Sequence, residues 1–248
     1  MCGRYVSATP PDQLSQYFRA ELMVEPAGDG DDEQTTHHRA GNYNVAPTQE
    51  VYVVYENVGS RRLDRFRWGL VPFWAKDPQI GSKMINARAE TIHEKNSFKG
   101  PFAKKRCILP ADGFYEWKKV EGQKRKQPMY LTSIDGAPFA FAGVWDVWKD
   151  ANNLDDAGEP LELYSCTIIT GEPNEKVAEV HDRMPVILPP DAWDTWLDRD
   201  NSDIDSLRSF LVPAPAELIR LHPVSTDVNN VGNNRPSLIE ETEPVSDA

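Results

Sequence analysis

The sequence predicts an α+β fold in a single domain, built around a mainly antiparallel sheet. Three observations predict it. Short β-rich runs recur along the whole chain, and the helical patterns between them are brief. The two do not alternate in the regular way that parallel βαβ units require. With 248 residues, 40% of them hydrophobic, and 7 Trp, 8 Tyr and 9 Phe, the chain can bury a sizeable core.

Taken in order, Pro10-Pro11 followed by Asp12, with Leu14 and Phe18 on one face, predicts a helix start. Residues 25–40 are acidic, contain glycine and lack large apolar side chains, which predicts an exposed, mobile insertion. Strands are predicted at 51–55, 63–68, 107–109, 129–134, 138–145, 161–170 and 218–224. Helices are predicted at 86–94, 173–180, 190–197 and 203–211, two of them opened by proline. The polar stretch 149–160 reads as a loop tip. The folded domain is expected over 1–238 and a frayed acidic tail over 239–248.

Composition excludes several classes. No run approaches the ~20 apolar residues of a membrane helix, and Met1-Cys2-Gly3-Arg4-Tyr5 has no apolar signal region. Cysteines at 2, 107 and 166 are too few and scattered for a disulfide framework or a zinc site. Cys107 and Cys166 lie in apolar runs and read as small core residues. His37-His38, His93 and His222 make no metal set, so neither metal nor other cofactor is expected. The expected state is a reduced cytoplasmic monomer, nucleoid-associated when bound to DNA.

The net charge of −12 argues against nucleic acid, but its distribution does not. Residues 60–130 hold 17 of the 27 Lys and Arg and only 7 of the 39 Asp and Glu, leaving 10 basic and 32 acidic residues elsewhere. A basic middle can bind a polyanion while the acidic remainder keeps the protein soluble; a merely solvated face is the alternative. Arg61, Arg62, Arg65, Arg67, Lys99, Lys104, Lys105, Arg106, Lys118, Lys119, Lys124, Arg125 and Lys126 are the candidates for that surface.

Cys2 follows the initiator methionine, which is normally trimmed before a small residue, so the mature chain would start at cysteine. Its amine and thiol have ordinary pKa values of about 7.7–8.0 and about 8.5, so part of each is nucleophilic near neutrality. The amine can form a Schiff base with an aldehyde, and the sulfur can then close a five-membered thiazolidine. Such a residue can also serve as an N-terminal hydrolase nucleophile, or be inert.

Seven motifs occur in order: Met1-Cys2-Gly3-Arg4-Tyr5, Tyr43-Asn44-Val45-Ala46-Pro47, Trp68-Gly69-Leu70-Val71-Pro72-Phe73-Trp74, Ile85-Asn86-Ala87-Arg88-Ala89-Glu90-Thr91, Cys107 to Trp117 with Phe114-Tyr115-Glu116-Trp117, His181-Asp182-Arg183-Met184-Pro185, and His222-Pro223-Val224-Ser225. Together they resemble the SRAP family, the SOS-response-associated peptidases or abasic-site processing proteins, from Cys2 to about Asn234. The resemblance implies an SRAP-type fold and a covalent sensor of abasic sites in single-stranded DNA, which crosslinks through a thiazolidine at Cys2 after Met1 is released. It implies Asn86 as a hydrogen-bonding group at the reacting centre, Glu116 as the proton shuttle and His181 as stabiliser of the sugar hydroxyl or of the leaving groups. It implies Arg4, Asn44, Pro47, Trp74, Arg88 and Trp117 as DNA contacts.

The chemistry asks for these residue types. Imine formation needs one group to act as base and then as acid, which a partly desolvated Glu does near neutrality. Asn can orient the amine or polarise a carbonyl, and the planar Arg fork suits phosphate. Plainer readings stand beside them: Glu116 as an edge-strand carboxylate facing water, Asn86 as a helix N-cap, His181 as a cation at a helix C-terminus, and Trp68, Trp74, Trp117 and Trp145 as core or groove wall, with at least one stacking on a base. Asn42 stands where relatives often carry Arg, and Ala75 where some carry a second aromatic that wedges beside the lesion. Two other functions remain: a cysteine-dependent peptidase limited to or beyond its own Met1, and a non-covalent single-strand binder. Abasic-strand cleavage is a further side reaction open to an imine.

Overall fold

β-Branched and aromatic runs dominate the middle of this chain, and they pair with each other rather than with helices. In a computed structural model, which describes residues 2–23, 41–57, 59–122 and 124–244, the strands are β1 (Tyr5–Ser7), β2 (Glu21–Leu22), β3 (Asn42–Val45), β4 (Glu50–Asn57), β5 (Ser60–Trp68), β6 (Asn86–Arg88), β7 (Arg106–Ala111), β8 (Gly113–Lys118), β9 (Gln127–Ser133), β10 (Phe139–Leu154), β11 (Pro160–Gly171), β12 (Met184–Pro185) and β13 (Ile219–Pro223). One helix, α1 (Pro11–Phe18), starts where the proline pair predicts it. The predicted insertion 25–40, including His37-His38, lies outside the described residues, as do residues 245–248 of the predicted tail.

The larger sheet closes on itself. β10 pairs with β7, β7 with β4, β4 with β5 and β10 with β11, all antiparallel; β11 returns to β5 in parallel through Ser165↔Arg67 and Cys166↔Trp68. This mixed barrel explains the unbroken apolar runs. Val53, Tyr55, Phe66, Trp68, Cys107, Leu109, Phe141, Trp145 and Cys166 fill the inside. Their strand neighbours Val54, Leu63, Ile108, Ala142 and Val144 pack outward against Leu14 and Phe18 of α1 and against Trp193, Trp196 and Leu197. A strand buried on both faces loses the alternation that marks a half-solvated one. The second sheet, in the order β13-β9-β8-β1-β3, carries the chain's start across the mouth of the barrel.

Several predictions of secondary structure are corrected. Residues 86–94 are not a helix: Asn86–Arg88 is a strand pairing in parallel with β11, Ile168↔Asn86 and Thr170↔Arg88. Ala, Arg and Glu favour helix in isolation, but Ala87 and Ala89 are buried while residues 86, 88 and 90 are not, a period of two that suits the open edge of β11. The predicted loop 149–160 is mostly a projecting two-stranded ribbon, with only its tip outside the strands. The predicted helices at 173–180, 190–197 and 203–211 exist but shrink, to Glu175–Ala178, to a 3-10 turn Pro190–Ala192 running into Trp193–Leu197, and to Ile204–Ser209.

One close approach seats the strand that matters. A Cβ on Gly69, at φ +128°, would lie 2.5 Å from the carbonyl oxygen of Gly81, and a Cβ on Gly81 would lie equally close to Gly69 O. Two glycines let these backbones touch. With Leu70 N–H donating to Met84 O, the contact draws the 70–84 loop shut and delivers Ile85 and Asn86 to β11.

Candidate active site

Cys2 sits just ahead of β1, at the end of an antiparallel pairing with β8 in which Tyr5 faces Phe114 and Val6 faces Gly113. The same register continued brings Glu116 opposite Gly3, beside Cys2. β8 lies between β1 and β9, so it is an interior strand and the edge-strand reading of Glu116 is wrong. Glu116 is 3% exposed and Cys2 has no exposed surface. From the other side, Asn86 at the start of β6 donates from Nδ2 to the Cys2 carbonyl at 2.8 Å. It is a strand residue, not the predicted N-cap. Its Oδ1 is buried and has no hydrogen-bond partner among the described residues, which leaves an acceptor to spare beside Cys2.

His181 follows the short helix Glu175–Ala178, its N–H donating to Val177 O, so the predicted place at a helix C-terminus holds. Its Nε2 lies 3.9 Å from Glu116 Oε2. Its Nδ1 meets two partners of opposite sense. It accepts from Arg183 N–H at 3.1 Å when neutral and donates to Asp182 Oδ1 at 2.8 Å when protonated. Burial, with neighbouring positive charge, lowers its pKa below the usual histidine value, so the neutral ring prevails at pH 7, with Nε2 on the side of Glu116.

The electrostatics follow from burial. Desolvation pushes the Glu116 carboxyl up to about 7, against the pull of nearby positive charge that includes Lys126. Desolvation, then the Glu116 charge, pushes the Cys2 thiol far above its ordinary value, so the thiol is neutral and must lose its proton to a neighbour before it attacks. The site therefore holds a carboxyl poised near neutrality, a neutral imidazole donor, an amide with a spare acceptor and a protonated thiol. Among the described residues no group of three or more His, Cys, Asp or Glu is placed to hold a metal.

The six residues predicted as DNA contacts fall into two groups. Arg4, Asn44 and Trp117 converge on the segment 228–233. Arg4 Nη1 donates to Asn44 Oδ1 at 2.7 Å and Val228 O at 2.9 Å, and Trp117 Nε1 donates to Asn229 Oδ1 at 2.7 Å. Asn44 is 1% exposed and gives Nδ2 to Val228, Asn230 and Asn233 carbonyls at 3.2, 3.0 and 3.0 Å. Asn44 is thus a buried strut beneath any binding surface. The other three are accessible: Arg88 is exposed at the end of β6, Trp74 is 48% exposed, and half-buried Pro47 opens a turn whose Thr48 holds φ 75°, a strained value for a β-branched residue.

The basic stretch divides likewise. Arg106 does not face DNA: it is 1% exposed and donates to the carbonyls of Trp196, Phe102, Ala103, Asp198 and Asn201. Arg61 pairs with Asp194, Lys118 with Glu179 and Lys105 with Asp146. Lys99, Lys104, Lys119, Lys124, Arg125 and Lys126 are exposed. Trp68 and Trp145 are core.

Sequence reasoning missed Arg183 and Glu90. They form a two-pronged pair at 2.6 and 3.0 Å that ties the His181 segment to the turn after β6, and Arg183 also donates to Thr170 O on β11. Both residues stand inside the quoted motifs, which was the available signal.

The model of the SOS response associated peptidase (SRAP) family matches residues 1–231. The chain is 43% identical over 240 residues to the abasic site processing protein YoqW of Bacillus subtilis (strain 168), covering 97% of this chain and 99% of that one. It is 38% identical over 200 residues to the abasic site processing protein HMCES of Gallus gallus, covering 72% of this chain and 57% of that one. A crystal structure of a protein from Bacteroides thetaiotaomicron superposes with a TM-score of 0.79 at 28% identity, over 97% of this chain and 100% of the other. One from Bordetella bronchiseptica gives 0.69 at 28% identity, over 90% and 100%.

Proposed function

The chain belongs to the SOS response associated peptidase (SRAP) family, and from that premise and the Cys2 pocket we propose that it captures abasic sites in single-stranded DNA as a thiazolidine. The observation that carries this reading is the meeting of Cys2, Asn86, Glu116 and His181 from four separate segments, with the Cys2 carbonyl held by Asn86.

Hydrolysis of the Met1–Cys2 amide consumes one water and frees the Cys2 amine. Asn86 Nδ2 fixes the Cys2 carbonyl, and Asn86 Oδ1 accepts from the freed amine, turning its lone pair towards the incoming aldehyde carbon, C1′ of the ring-opened sugar. The nitrogen–carbon bond forms and Glu116 takes a proton from the nitrogen. Glu116 passes that proton to the former carbonyl oxygen, giving the neutral carbinolamine, and then carries the second nitrogen proton to the same hydroxyl, which leaves as water and gives the imine. The Cys2 sulfur adds to the imine carbon while its proton passes through Glu116 to the nitrogen, closing the ring. His181 Nε2–H supports the sugar oxygen during opening. Arg88 and the exposed lysines bind phosphates, so affinity depends on salt and not on base sequence. Release of Met1 is this chain's only peptidase step in the proposal, since the basic middle ill suits a general peptide cleft.

Intact-mass analysis tests the reading. Protein lacking Met1 should gain the mass of an abasic oligonucleotide less one water, stable to heat and denaturant. Full-length protein that keeps Met1 in functional material, or an adduct absent under these conditions, overturns it.

A further inference from the structure

The loop after β5 exposes two large aromatics in succession: Phe73 is 70% exposed and Trp74 48%. Such side chains on a free loop fold back onto the surface. Here three side chains from β10 and β11 hold the backbone instead. Val71 N–H donates to Ser165 Oγ at 2.8 Å, Phe73 N–H donates to Asp146 Oδ2 at 3.0 Å, and Trp148 Nε1 donates to Ala75 O at 2.7 Å. The central anchor is unusual. Asp146 is 1% exposed, and its Oδ1 accepts from Lys105 Nζ at 2.6 Å and from Val147 N–H at 2.9 Å. A buried carboxylate is stable only when paired in this way, and the pairing also cancels a charge that would repel phosphate.

The rings stand over an open groove of about 550 Å³ lined by Phe73, Trp74, Asn96, Ser97, Lys99 and Asp146 among others. β11 relates this groove to the reacting centre. Ser165 anchors Val71 and Ile168 pairs with Asn86, three residues further along, a separation of roughly 10 Å at ~3.3 Å per residue. That is about three stacked nucleotides at ~3.4 Å each, fewer in an extended strand.

We propose that Asp146 is a positioning residue for strand binding: it fixes the Phe73–Trp74 turn so that the adjoining groove receives an unpaired nucleobase flanking the lesion, stacked on Trp74, with Lys99 beside its phosphate. The proposal rests on the single-strand reading above and deepens it. It matches what unselective single-strand binders need, an aromatic platform beside a cation, and it gives the platform the rigidity that keeps ordering losses out of binding.

The test uses an intact, non-abasic oligothymidylate and the full chain, so it reads the groove even if crosslinking fails. Trp74→Ala, an exposed change, should weaken binding about tenfold and remove most of the binding-induced quenching of tryptophan fluorescence. Asp146→Ala with Lys105→Met removes the anchor and its cation together and should weaken binding five- to tenfold. Asp146→Asn with Lys105→Met keeps an acceptor for Phe73 N–H and should restore affinity to within twofold. On an abasic oligonucleotide, the anchor-less pair should raise the half-saturating concentration by the same factor with the maximal crosslinking rate retained. Unchanged oligothymidylate affinity in Trp74→Ala, or equal loss in the Asn and Ala forms, overturns the proposal. Normal binding and quenching with no crosslink anywhere would instead refute the thiazolidine reading.

Discussion

Replacing Glu116 by Gln separates the catalytic value of that carboxyl from its cost to the fold. Burial raises the Glu116 pKa from 4.5 to about 7. A carboxyl raised in this way favours the folded state fully below pH 4.5. That advantage is lost as pH rises through 7, because the unfolded chain ionises first. The gap converts, at ~1.36 kcal/mol per pH unit, to about 3 kcal/mol lost above pH 7. Gln has the same shape and no charge; it gives up about 1 kcal/mol of hydrogen bonding. At pH 8.5 Glu116→Gln should therefore be more stable than the parent by about 2 kcal/mol, raising Tm by about 4–8 °C. At pH 4.5 it should be slightly less stable. Thermal melts across this range measure the crossover. In the same preparations crosslinking should slow by about 10²–10⁴-fold, with binding to intact single strands nearly unchanged. A Tm difference independent of pH would show that burial does not raise this carboxyl, and the shuttle argument would fail with it.

The parent's crosslinking rate should fall as pH drops through about 7, because Glu116 must be ionised to take the amine proton; in Glu116→Gln that fall should be absent in stopped-time gel assays. Cys2→Ser should give only an adduct that hydrolyses on heating unless reduced by borohydride, and an equally durable adduct would exclude the thiazolidine. Asn44→Ala should cost about 1–3 kcal/mol of stability in denaturant titration, since it leaves Asn233 O without its donor and takes from Arg4 Nη1 one of its two acceptors; loss of DNA binding with full stability would make it a contact instead. Arg88→Gln should leave Tm unchanged and reduce the salt slope of single-strand binding by about one phosphate.

Much of this protein was legible without coordinates. The positions of most strands, the start of α1 and the burial of Cys107 and Cys166 follow from local patterning. The proposal of an amine and thiol acting together at Cys2 starts from its place beside the initiator, and family membership follows from seven motifs in order. What patterning cannot give is who faces whom. Asn86 reads as a helix start because alanine, arginine and glutamate favour helix one residue at a time; it is a strand because β11 leaves an edge open beside it. Glu116 reads as a solvated carboxylate because exposed Glu is the rule; it is buried because β1 and β9 flank β8 on both sides. Arg106 reads as one more surface cation in a basic stretch, yet it sits inside as the cap of five carbonyls. In each case the side chain's chemistry is written in one residue, whereas its desolvation and partners depend on strands dozens of residues away, and only closing the barrel brings those together.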